Sequence, residues 1–342
     1  MKKGQVTIKD IAKELNISCS TVSRALKDFP GISPKTRNAV VDLASKYNYR
    51  PNAIALSLRS QKTNIIGVII PETVHFFFST VISGIEDEAM SEGYNVMICQ
   101  SNESYEREAD SIDALMSARV DGLLVSISRE TSDLKHLQKV REEGTPLVFF
   151  DRLVEGMNAS SVIVDDYQGA YDATAHLIEQ GCKNIVHLGG PENLILSRKR
   201  KEGYISALED FNLPVDESYI VECREGNLEM AQAIFSELLK SGKPIDGVFA
   251  NNDMTALGVM AAAKANKIKI PQELAIIGYS DWQFSAMLEP ALSSVNQSGY
   301  EMGREAVRLI FQEINNEDEH RMSKISILDA EVVARGSSLR NH

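Results

Sequence analysis

Apolar residues near the start of the chain recur at helical spacing, in two short blocks separated by almost nothing. Ile8, Ile11, Ala12 and Leu15 form one stripe. Thr7 stands where an N-cap belongs, Asp10 three residues on completes a capping box, and Val6 can staple onto Ile11. After only Leu15-Asn16-Ile17 the signature repeats, with Ser18 as cap, Ile17 before it and Val22 at the fourth helical position. Ser33-Pro34 opens a third helix with proline at its first position, and Val40, Val41 and Ala44 are its expected buried face. Two helices joined this tightly predict a helix-turn-helix. Past Tyr49-Arg50-Pro51, Asn52 can cap a helix running to Arg59 that is too short to be stable alone. It reads as a linker whose helix forms when something holds it.

From residue 63 the pattern changes to short continuous apolar runs spaced by amphipathic helices. IIGVII (65–70), NVMIC (95–99), GLLVSI (122–127) and PLVFFD (146–151) form one series. After VIVDD (162–166) come NIVHLGG (184–190), IVEC (220–223), GVFANND (247–253) and LAIIGYSD (274–281). Buried runs alternating with helices predict parallel sheets, and two series predict two similar lobes with a cleft outside the strand carboxyl ends. The fold class is α/β with an N-terminal helix-turn-helix.

Charge sharpens this division. Residues 1–62 hold 12 Lys and Arg against four acids, a net +8, whereas the whole chain carries -12 and the remainder therefore -20. A basic head on an acidic body suits a polyanion-binding module tethered to a second function, and the body would repel DNA. Hydrophobic content of 43% is that of a soluble globular protein, no run approaches a membrane span, and the start MKKGQVTIKD has no apolar signal region. Four scattered cysteines without a CxxC pair suit a reducing, cytoplasmic setting. An enzyme of the nucleotide-binding class needs a GxGxxG or GxxxxGK[ST] loop. Gly189-Gly190-Pro191 is the nearest approach and does not fit, and HExxH and GxSxG are absent too. A transport solute-binding protein would fit the body but neither the basic head nor the missing signal region. No catalytic activity, cofactor or metal is expected.

In a helix-turn-helix the second helix enters the major groove by its N-terminus. Cys19, Ser20 and Arg24 then face base edges while Val22 and Leu26 turn inward, and Arg24 can fork onto guanine or hold a phosphate. Thr7, Thr21, Ser23 and Lys27 are candidates for phosphates. In the body, polar residues at strand ends are the ligand candidates: Asp151 and Arg152, Asn252 and Asp253, and Ser280 beside Trp282. They suit a polyhydroxylated ligand, with Trp282 or Phe77 offering an aromatic face.

The segments VTIKDIAKELNISCSTVSRALKD and YRPNAIALSLRS, with the alternating body up to about residue 336, resemble the LacI/GalR family of bacterial repressors. The resemblance implies a DNA-binding head (1–51), a hinge helix (52–62) and a two-lobed periplasmic-binding-protein-like (type I) effector domain (63–336). Lobe 1 would span about 63–163 and 293–321, and lobe 2 about 164–292 and 322–336, with three crossings. Ser293-Ser294-Val295 would return to the first lobe and the final strand near Ile325–Val333 to the second. By the same resemblance Asn52, Ala53, Leu58 and Arg59 engage the minor groove, Leu58 as a wedge that unstacks and bends a palindromic operator. Arg200, in SRKRKEGY, matches an effector-contacting arginine. A homodimer is expected, because two heads read a palindrome and no leucine heptads follow residue 336. The sequence departs from the family at His75-Phe76-Phe77-Phe78, and at Leu194, Leu196 and Glu225, where a purine-binding relative has other contacts. These departures disfavour a purine and leave the effector unidentified; a sugar or sugar derivative is expected from the polar and aromatic residues at the strand ends.

Overall fold

The computed structural model describes residues 6–49, 62–73, 76–315 and 323–340, and falls into two compact units, one up to Thr63 and one from Asn64 onward. The expected hinge helix, with Asn52, Ala53, Leu58 and Arg59, lies outside the described residues, as does His75.

The first unit is three helices: α1 (Ile8–Glu14), α2 (Cys19–Leu26) and α3 (Pro34–Lys46). Their starts follow the local chemistry. The Asp10 carboxylate accepts from the Thr7 N–H at 2.8 Å and from its hydroxyl at 2.7 Å. The Ser18 and Ser33 hydroxyls accept from the N–H groups of Thr21 and Thr36, pairing donors that the first turn of a helix leaves open. Asn16 takes φ +52° in the turn between α1 and α2, a conformation asparagine tolerates better than most residues. Ile11, Val22 and Val40 are fully buried, joined by Ala12, Ala25, Leu43 and Ala44. Val41 is not part of this face: it is 44% exposed, and Leu43 takes the inward position. The Tyr47 hydroxyl donates to Glu14 at 2.8 Å and ties the end of α3 to α1.

The second unit alternates strand and helix. Its strands are β1 (Ile65–Ile70), β2 (Asn95–Gln100), β3 (Gly122–Val125), β4 (Leu147–Phe150) and β5 (Ser160–Val164), then β6 (Ile185–Gly189), β7 (Ile220–Glu222), β8 (Gly247–Ala250) and β9 (Ala275–Tyr279). Three more follow: β10 (Ser293–Asn296), β11 (Ile325–Leu328) and β12 (Glu331–Val333). They form two six-stranded sheets, ordered β11-β5-β4-β3-β1-β2 and β12-β10-β9-β8-β6-β7. Pairing is parallel throughout except between β10 and β12. The central strands are buried along their whole length, as continuous apolar runs require when helices cover both faces.

Two strands belong to the other lobe from the one sequence reasoning assigns. Ser293–Asn296 pairs with β9, Ser293 opposite Ile277, and so sits in the second sheet; only after it does the chain return to the first lobe. The segment near Ile325–Val333 is split, β11 adding to β5 in the first sheet and β12 to β10 in the second. The reason is pairing between distant segments, which has no local signature. The chain therefore passes between the lobes three times, after β5, after β10 and between β11 and β12.

Helix α4 (Phe76–Ser91) packs on α11 (Gly299–Ile314) over the first sheet, through Val81, Ile85, Met302 and Ala306. Their backbones meet at two glycines. A Cβ on Gly84 would stand 2.0 Å from the Tyr300 carbonyl oxygen, and one on Gly303 2.1 Å from that of Val81. Backbone cannot yield as a side-chain tip does. Gly84→Ala is therefore expected to cost about 1–3 kcal/mol of stability through overpacking, read as a lower midpoint in chemical denaturation. An unchanged midpoint would mean that the two helices separate freely.

Candidate functional site

Two places concentrate polar side chains that packing does not require. The first is the start of α2. Cys19, Ser20, Arg24 and Lys27 are exposed there, as is Thr7 at the start of α1, while Thr21 and Ser23 are half-buried. The Ser18 hydroxyl lies 2.7 Å from that of Ser20 and 2.8 Å from that of Thr21, so the cap organises both neighbours. The Arg24 guanidinium lies 5.6 Å from the ring centre of Phe29, itself exposed. No acid occurs in the first turn of α2, and the open N–H groups there favour an anion.

The second place is the cleft between the lobes of the second unit, at the carboxyl ends of β4, β6, β7, β8 and β9. Seven of the eight sequence-predicted ligand residues line it: Phe77, Asp151, Arg152, Arg200, Asn252, Ser280 and Trp282. Asp253 does not. It is fully buried, and its carboxylate accepts from the Trp282 N–H at 2.8 Å, the Ser285 hydroxyl at 2.9 Å and the Ser294 hydroxyl at 2.6 Å. It holds the turn that presents Ser280 and Trp282. Burial pushes its pKa up to about 6, against the pull of those three donors.

Both deep arginines have their charge compensated from within the protein. Arg152 grips Glu103 through both terminal nitrogens at 2.7 Å and also donates to the Ile127 carbonyl at 2.7 Å. Burial works against ionised Glu103, yet Arg152 holds it below the usual carboxylate range. Arg200 donates to Asp166 at 2.8 Å and to the Asn251 carbonyl at 2.6 Å, its guanidinium 3.6 Å from the ring centre of Tyr279. Asp166 is thus the partner of Arg200.

Asp151 is the exception. It is buried, with φ +63° on a non-glycine residue, and its nearest cationic atom is the Arg152 Nε at 3.9 Å. Among the described residues its carboxylate accepts no hydrogen bond. Burial pushes its pKa up to about 6, with Arg152 opposing. Ser280 (φ +111°) and Asp281 (φ +50°) are likewise left-handed. Backbone strain of this kind gathers where geometry is held for a purpose.

Sequence reasoning missed several lining residues. Asn251 and Ser197 each keep a buried polar atom, Oδ1 and Oγ, without a partner among the described residues, as the predicted Arg152 does at Nε. Gln297 accepts from the Ser280 hydroxyl at 2.7 Å. Glu103, Arg129 and Arg224 complete the rim, with Leu194, Leu196 and Glu225 beside them. Only Asn251, one residue before Asn252 at a strand end, carried a signal that could have found it. The rim is bridged. Arg129 donates across it to the Arg224 carbonyl at 2.8 Å, and Asn193 returns a bond to the Arg129 carbonyl at 2.7 Å.

Comparison with known proteins bears on both units of the chain. Residues 63–331 match the family model described as periplasmic binding proteins and sugar binding domain of LacI family, and residues 7–52 that of bacterial regulatory proteins, lacI family. Catabolite control protein A of Priestia megaterium is 34% identical over 313 residues, covering 91% of this chain and 93% of that protein. The structure of the transcriptional regulator CelR with cellobiose aligns at a TM-score of 0.74 and 26% identity, over 97% of this chain and 99% of that one. The operator-bound lac repressor dimer aligns at 0.87 over 98% of this chain and 100% of its own; at 22% identity it bears on the fold alone.

The state of Asp151 can be tested by pH. Its folded pKa, about 6, stands above the ordinary 3.8. The folded chain therefore binds this proton more tightly, and the associated stability is present below about pH 4 and lost as pH rises through 6. Asp151→Asn should match the parent near pH 4 and exceed it by about 1–3 kcal/mol at pH 8, measured by denaturation at both pH values. Equal stability at pH 8 would mean that the carboxylate is solvated or paired.

Proposed function

The chain belongs to the LacI family of bacterial regulatory proteins, and we propose that it is a repressor whose hold on a palindromic operator is set by an uncharged sugar bound between the lobes of its second unit. The observation that carries this reading is Asp151, a buried carboxylate facing the cleft without a hydrogen-bond donor. A carboxylate so placed takes two adjacent hydroxyls of a sugar ring, donors that a polyol offers in the required fork. Arg152 and Arg200 have their charge met by Glu103 and Asp166, so the floor offers no excess positive charge to a phosphate. Asn252, Ser280 and the ring of Trp282 or Phe77 complete a wall of polar groups and an aromatic face. That the CelR relative is described with cellobiose supports the sugar class.

On the DNA side, Cys19, Ser20 and Arg24 read bases while Thr7, Thr21, Ser23 and Lys27 hold phosphates. The hinge residues Asn52, Ala53, Leu58 and Arg59 enter the minor groove at the operator centre. A homodimer supplies the two heads, and the unpaired edge of β2, with Met97 and Ile98 each more than a third exposed, is apolar surface of the kind a second copy covers. No described helix is long and apolar enough to cross a membrane. Ligand binding changes operator affinity by favouring one arrangement of the lobes, and the size of that change is set by its differential affinity for the two arrangements.

The test begins with selection of bound duplexes from a random pool by the full chain. Arg24→Ala should then weaken binding to the selected site by about 10–100-fold, the worth of a bidentate guanine contact, with a smaller loss on unrelated DNA. Equal losses on both would reduce Arg24 to a phosphate contact.

A further inference from the structure

Beside the cleft the second lobe holds another chamber, open to solvent and of about 310 Å³, against about 110 Å³ left in the cleft itself. It lies between α8 (Ile195–Asp210), the edge strand β7 and the end of β6. Ser197 and Gly190 border both spaces, so one thin wall divides them. Side chain is excluded from that wall: a Cβ on Gly190 would stand 2.6 Å from the Ser197 Oγ.

The chamber has a defined chemistry. His187 is fully buried between Tyr204 and Phe249, whose rings stack on it at 5.3 and 4.8 Å. Its Nδ1 lies 3.2 Å from the Phe249 carbonyl, and only a protonated nitrogen can pair with a carbonyl. Burial pushes the ring's pKa down to about 4, so the imidazole is neutral at pH 7 and Nε2 is a bare acceptor. Among the described residues that atom is buried with no partner, as is the Ser197 Oγ. Of the charged lining residues, Lys201 is paired with Glu192 at 2.6 Å. Glu217 and Glu222 are exposed and have no ion pair among the described residues. Ile205, Val215 and Ile220 make the remaining wall apolar.

We propose that this chamber is a second ligand site, built for a small organic amine with an apolar body. The aliphatic part lies on Ile205, Val215 and Ile220, and the ammonium group finds two uncompensated glutamates and acceptors at the floor. The chamber's volume falls at the lower end for small-molecule sites. Because its occupant presses on the wall that also borders the cleft, the two ligands would sense each other through Gly190 and Ser197.

Isopentylamine is the probe and isopentanol its uncharged counterpart, each titrated into the full-length protein and followed by saturation-transfer NMR on the small molecule. The amine should bind saturably in the millimolar range and the alcohol at least tenfold more weakly. The exposed double variant Glu217→Gln/Glu222→Gln should weaken the amine at least tenfold. Val215→Trp, which fills the chamber from an exposed position, should abolish its binding. Asp151→Asn, which removes the free carboxylate of the cleft, should leave it unchanged. Absence of saturation, equal binding of alcohol and amine, survival of binding in Val215→Trp, or its loss in Asp151→Asn would each overturn the proposal.

Discussion

The cleft depends on one buried unit, Arg200 set between Asp166 and the face of Tyr279. Three elements of the second lobe meet there: Asp166 at the start of α7 (Asp166–Glu179), Arg200 on α8, and Tyr279 at the end of β9. A fourth, β8, joins through the Asn251 carbonyl. Burying a guanidinium costs several kcal/mol unless charge and hydrogen bonds are supplied together, and here a carboxylate, a carbonyl and an aromatic face supply them. Each partner is also what keeps the others in place. Removing one would leave an uncompensated charge, so the arrangement specifies a single geometry for the cleft floor. Arg152 and Glu103 repeat the device in the first lobe.

Against this compensated background the polar groups left over acquire meaning. Asp151 keeps a carboxylate with no donor on a strained backbone, and Asn251, Ser197 and the Arg152 Nε keep single atoms unmatched. Native interiors pair such groups almost completely, and these unmatched atoms all border the cleft. Asp253 works from behind. It spends its carboxylate on the Trp282 backbone and two serine hydroxyls, and so fixes the turn whose other residues face the ligand space. The bonds between Arg129, Arg224 and Asn193 span the rim, and three chain crossings join the lobes.

What sequence could disclose divides along physical lines. Caps, the tight turn at Asn16 and the buried parallel strands depend on neighbours in the chain, and all were legible from Thr7, Ser18, Ser33 and runs such as IIGVII. The lobe to which β10 and β11 belong was not, because a strand's partners are distant and both strands are short and partly polar. Val41 failed for a subtler reason, a single helical step around α3. At the cleft, strand ends pointed to Asp151, Asn252 and Ser280, which line it, but not to what each side chain does. Asp253 opens α10 (Asp253–Ala265) yet turns inward. Glu103 escaped notice because it follows β2, an exposed edge strand rather than a buried one.

The central claim is that occupancy of the cleft and affinity for DNA are one coupled equilibrium. Trp282 is the chain's single tryptophan and lines the cleft, so its emission reports occupancy directly. The decisive measurement is a titration with neutral sugars in which Trp282 emission and the anisotropy of a labelled, selected duplex are recorded on the same sample. The account predicts a sugar for which both signals change and reach half-saturation together. A sugar that saturates Trp282 while operator affinity stays constant would contradict it.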